Sequence, residues 1–102
     1  MEYMFYGCSA LQSLTLSNNF VTSSVINMEY MFYGCSSLQT LTLQNNFDTL
    51  KVENMEYMFY GCSALISLDL SNFDTSSVTN MNSMFRKCTT LKSLTLSSNF
   101  IT

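Results

Sequence analysis

Histidine, proline and tryptophan are absent from this sequence, and only eleven of its 102 residues are charged. Without histidine the commonest general base and triad partner is missing. The acids recur with the repeat described below and do not converge, so the chain is read as non-catalytic and nothing calls for a cofactor. Four Lys plus Arg against seven Asp plus Glu leave a net charge of -3. That balance lacks the basic patch a nucleic-acid partner requires. No run approaches the roughly 20 apolar residues of a membrane span. No basic start leads into an apolar stretch, so these residues hold no signal peptide.

What is present is repetition. Cys8, Cys35, Cys62 and Cys88 follow one another at intervals of 27, 27 and 26 residues. Every methionine falls into an M-x-x-M pair: Met1 and Met4, Met28 and Met31, Met55 and Met58, Met81 and Met84. The single repeat array over 1–102 divides into units 1–27, 28–54, 55–80 and 81–102, with no linker between them. It is expected to be a segment of a longer repeat protein.

Two hydrophobic periods alternate within a unit. Met28, Met31, Phe32 and Cys35 stand at i, i+3, i+4 and i+7, a spacing that predicts one buried face of a short helix. Asn27 is expected as its N-cap, Glu29 in its first turn and Gly34 at its end. Leu41 and Leu43 then alternate with Thr40 and Thr42, which predicts a strand with leucines inward. Asn46 and Phe47 turn the chain, and Val52 supplies a further anchor. Because one unit buries little by itself, the units must stack, with like residues over like. The fold class expected is an α/β, leucine-rich-repeat-like solenoid of four repeats, with one short parallel strand and one short helix in each. Crossover connections make it right-handed.

Leu11-x-x-Leu14-x-Leu16-x-x-Asn19 looks like a leucine-rich repeat. The longer pattern N-M-x-x-M-F-x-x-C-x-x-L-x-x-L-x-L followed by N-F-D-T-S-x-V-T-N, closest over Asn72–Asn80, resembles the BspA-like repeats of about 26 residues. Those occur in bacterial surface proteins, including mycoplasma-type lipoproteins, and the resemblance covers the whole chain. It implies cell-surface or secreted adhesion. Unit four departs from the others with Ser83, Arg86 and Lys87 in place of two tyrosines and a glycine.

Each conspicuous residue class has a structural reading beside a functional one. The cysteines lack the paired C-x₂₋₄-C spacing of zinc sites, and stacked helices would hold them too far apart for disulfides. Buried free thiols are expected, with no metal and no disulfide. The methionines are expected as core packing. Asp69, in the outward strand ladder of Thr15, Thr42 and Thr95, is either a ligand contact or a solubilising charge on a flat surface. Two outward faces are candidates for partner binding. One is a double file of tyrosines, Tyr3, Tyr30, Tyr57 and Tyr6, Tyr33, Tyr60, which is either a recognition stripe or ring packing between short elements. The other is the strand face of Ser13, Thr15, Thr40, Thr42, Ser67, Asp69, Ser93 and Thr95.

Three functions fit these features. The first is an interaction or adhesion module at a bacterial cell surface, whose partner is a protein, a glycan or a further copy of the chain. The second is a self-assembling filament subunit, since Met1 begins in phase, Thr102 stops in mid-turn and neither end shows a polar cap. The third is ice or mineral binding by the hydroxyl-rich strand face.

Overall fold

The computed structural model describes residues 1–17, 19–44, 47–98 and 100. Asn46, expected to turn the chain with Phe47, and Thr102 lie outside the described residues. Four short strands form: β1 (Ser13–Leu16), β2 (Thr40–Leu43), β3 (Ser67–Leu70) and β4 (Ser93–Leu96). In β1, β2 and β3 leucines at alternate positions turn inward while Ser, Thr or Asp face solvent, as the strand period requires, whereas β4 is exposed at all four positions. β1 pairs with β2 in parallel, Leu14 opposite Leu41 and Leu16 opposite Leu43. β3 pairs with β4 in the same manner, Leu68 opposite Leu94 and Leu70 opposite Leu96. The result is two two-stranded sheets.

The expected helix is absent: no helix forms among the described residues, so the right-handed α/β solenoid with one helix per repeat is not this fold. The segment carrying Met28, Met31, Phe32 and Cys35 is a run of tight turns. Met31, Tyr33 and Cys35 donate their N–H groups to the carbonyls of Met28, Tyr30 and Phe32, three residues back, at 3.2, 3.1 and 3.2 Å. The amides between them point out of the unit. Tyr30, Phe32 and Gly34 donate to Glu56, Met58 and Tyr60 of the next unit at 3.0, 2.8 and 2.8 Å. The same ladder joins units one to two and three to four, through Phe5 to Met31 and Phe59 to Met84. Left-handed residues recur through the run, at Tyr3, Tyr30, Tyr57 and Ser83, then at Gly7, Gly34, Gly61 and Lys87. Such residues stop an α-helix.

Unit spacing explains why turns replace the helix. Tyrosine rings of successive units lie 4.8–5.0 Å apart, close to the ~4.8 Å between paired strands. Stacked helices need about 8–10 Å. A chain whose units advance by one strand spacing on both sides has no room for them. The i, i+3, i+4, i+7 period survives because consecutive three-residue turns also carry Met28, Met31, Phe32 and Cys35 to one side, where all four are fully buried. Asn27 accordingly caps no helix. Its Oδ1 accepts from the Glu29 N–H at 2.9 Å, closing an Asx turn.

The core lies between the turn runs and the strands. Phe5, Phe32, Phe59 and Phe85 stack 5.3–5.7 Å apart, and Leu38, Leu65, Leu70 and Val52 are fully enclosed. Units two and three bury most. In unit one Met4 is exposed, and in unit four Leu94 and Leu96 are; Met81, Met84, Phe85 and Phe100 line an open recess of about 270 Å³. Among the described residues no helix is long and apolar enough to cross a membrane.

Candidate functional site

The turn runs place all six tyrosines on one side. Alternation of inward and outward positions sends Met28, Met31 and Phe32 to the core and leaves Tyr30 and Tyr33 outside. Stacked units then give two files. Tyr3, Tyr30 and Tyr57 are near-parallel at 5.0 Å steps, and Tyr6, Tyr33 and Tyr60 at 4.9 and 4.8 Å. Rings of the two files meet at a tilt, as Tyr30 and Tyr33 do with centroids 5.4 Å apart. This geometry lies within the favourable range for aromatic pairs. Tyr3 and Tyr6 are 51% exposed and the other four are half-buried. The rings thus pack on one another and still offer edges and hydroxyls to solvent.

A row of carboxylates follows the first file. Asn27 donates through Nδ2 to Glu2 at 2.7 Å, Asn54 to Glu29 at 3.4 Å and Asn80 to Glu56 at 3.1 Å. Each asparagine is the last residue of its unit and ties the turn run of the next unit to the acid of its own. The field reaches the phenols. Tyr3 is pushed above its ordinary pKa first by partial desolvation against its neighbours, then by Glu29 and Glu2. Tyr30 is raised by desolvation and then by Glu56. At the far end Lys87 places its Nζ 5.6 Å from the Tyr60 ring centroid, within cation–π range.

The second candidate surface is present but divided. Ser13, Thr15, Thr40, Thr42, Ser67, Asp69, Ser93 and Thr95 are all exposed, yet they belong to two sheets, since β2 and β3 are not hydrogen-bonded neighbours. Asp69 is absorbed locally. Its Oδ1 accepts from the Ser71 N–H at 2.9 Å, and hydrogen bonds from the Ser71 side chain and backbone lower its pKa.

The cysteines are free thiols, Cys35 and Cys62 buried, Cys8 and Cys88 half-buried. Cys35, Cys62 and Cys88 each donate Sγ–H to the carbonyl of Phe5, Phe32 and Phe59 in the preceding unit, at 3.2, 3.2 and 3.1 Å. Burial first, then the neighbouring thiols, pushes Cys35 up to about 11 and Cys62 up to about 12. Among the described residues no three His, Cys, Asp or Glu side chains are grouped to hold a metal ion.

The sequence reading overlooked Thr22, Thr49 and Thr75, which are 1–2% exposed. Thr22 Oγ1 donates to the Asp48 carbonyl at 2.9 Å and accepts from the Asp48 N–H at 2.7 Å. Thr49 holds Asp74 in the same way, at 2.9 Å for both bonds. One hydroxyl therefore clips unit one to unit two, and another clips unit two to unit three. The signal was available: threonine stands at this place in all four units, at Thr22, Thr49, Thr75 and Thr102, while its neighbours change from Val21 to Asp48 and from Ser23 to Leu50.

No curated protein and no solved structure matches the chain. A family model described as Mycoplasma protein of unknown function, DUF285, matches residues 1–100. With nearly its whole length covered by that match, the chain belongs to the Mycoplasma repeat family of unknown function DUF285.

Proposed function

We propose that this chain is a non-catalytic binding module of the BspA-like surface-repeat kind, which presents its tyrosine face to a protein or glycan at a cell surface. The observation that carries the reading is the double file of stacked, outward tyrosines. Tyrosine gives contact area and a hydroxyl at low entropic cost, and rings fixed by their neighbours have already lost the freedom that binding would take. The backbone does not ask for tyrosine there. Tyr3, Tyr30 and Tyr57 sit at φ 61°, 58° and 54°, a region that costs a non-glycine residue on the order of 1 kcal/mol. Ser83 holds the same conformation in unit four at φ 56°. The rings, not the local geometry, account for the residue.

The test is adhesion of beads coated with the chain to cultured epithelial cells. Replacing Tyr30, Tyr33, Tyr57 and Tyr60 by serine should abolish adhesion and leave a folded chain, because the buried side of the turn run is untouched. Replacing Thr40, Thr42, Ser67 and Asp69 by alanine should leave adhesion intact. The opposite pattern would move the function to the strand face.

A further inference from the structure

We infer that the tyrosine face takes an extended segment of another protein that carries lysine or arginine side chains, with Glu2, Glu29 and Glu56 as its charge partners. This rests on the proposed function and names the partner's chemistry. Three observations carry it. The acids Glu2, Glu29 and Glu56 form one row on the tyrosine side, one in each of the first three units, and among the described residues their hydrogen-bond partners are asparagine amides and not cations. The neighbouring rings lie within the field of those carboxylates, which puts aromatic surface and negative charge in one place. The protein itself already puts a cation on this surface, Lys87 over Tyr60.

Unit four shows where the next cation fits. Ser83 stands at the position that would continue the file of Tyr3, Tyr30 and Tyr57, so no fourth ring stacks on the outer face of Tyr57. Glu56 lies alongside, its Oε2 3.1 Å from Asn80 Nδ2 and its Oε1 3.4 Å from Asn82 Nδ2. An aromatic ring beside a carboxylate is a site for an ammonium or guanidinium group. Lys87 is then an internal competitor: it covers the adjoining ring and repels an incoming cation. Spacing sets the form of the segment. Two steps of a tyrosine file are about 10 Å, and a polyproline-II chain rising ~3.1 Å per residue brings every third side chain round at about 9 Å.

The experiment is fluorescence anisotropy with a labelled 12-residue Gly/Ser peptide carrying arginine at every third position, and a twin with glutamate in its place. The arginine peptide should bind and the glutamate twin should not. E29Q/E56Q should weaken binding about five- to tenfold, as loss of two partly exposed charge contacts. Glutamine keeps an oxygen for each asparagine, and an unchanged thermal unfolding curve verifies the fold. E53Q/D69N removes the same charge elsewhere and should leave the affinity unchanged. K87G should tighten binding severalfold, an effect that a purely structural role for Lys87 does not produce. Equal weakening by E29Q/E56Q and E53Q/D69N would reduce the effect to net charge and overturn the inference. So would self-association of the chain that K87G abolishes, since a second copy would then occupy the face. Bead adhesion that depends on the tyrosines without any binding of the arginine peptide would sink this inference alone. Loss of tyrosine dependence in adhesion would sink the proposed function as well.

Discussion

Thr49→Val removes one hydroxyl from a fully buried position and keeps the side chain's shape. The Thr49 Oγ1 serves both the carbonyl and the N–H of Asp74, at 2.9 Å each, so valine leaves two backbone groups of the next unit without their partner. A buried donor or acceptor stripped in this way costs about 1–3 kcal/mol. Asp74 is itself half-buried, so water recovers part of each loss. The lower end, about 1 kcal/mol per group, gives a destabilisation of roughly 2–3 kcal/mol. For a chain of this size that is a fall in Tm of roughly 10 °C or more. Urea unfolding followed by tyrosine fluorescence reads it without interference, because the chain has no tryptophan. Thr49→Ser keeps both bonds and should recover most of the stability, while Thr42→Val on the exposed strand face should change it by less than about 0.5 kcal/mol. Equal destabilisation by serine and valine would refute the hydroxyl clip and leave only packing at this position.

Leu68→Ala deletes a side chain only 3% exposed and should cost about 2–5 kcal/mol in the same urea assay; a cost below 1 kcal/mol would show that the strand's leucines do not face the core. The thiols predict an alkaline limit. Cys35 and Cys62 have folded pKa values near 11 and 12 against an ordinary 9.0, so the folded chain holds protons that the unfolded chain releases. Their contribution is intact below pH 9 and is lost progressively between pH 9 and pH 11–12. Thiol titration at pH 8 should find Cys35 and Cys62 slow in the folded chain and all four reactive in urea.

The repeat, the strands and the direction of the tyrosines were legible because each rests on a short-range rule. Cysteine spacing marks the units, alternation of leucine with threonine marks β2, and the residues flanking Met31 and Phe32 must face away from them. The helix was misread because the spacing of Met28, Met31, Phe32 and Cys35 is shared by an α-helix and by a chain of three-residue turns. What separates the two is the distance between units, which follows from backbone bonds such as Phe32 to Met58 and not from any single unit's text. The left-handed conformation of Tyr30 was illegible for the same reason, since tyrosine is not the residue that φ 58° would select. Thr49 reads as an ordinary loop residue until its partner in the following unit is in view.

The most direct test of the central claim is hydroxyl-radical labelling of the chain, free and after incubation with the cultured cells of the adhesion assay, read residue by residue. The account predicts that Tyr3, Tyr30, Tyr33 and Tyr57 lose reactivity on binding while exposed Leu94 and Leu96 at β4 keep theirs. Protection of β4 with the tyrosines unchanged would contradict it.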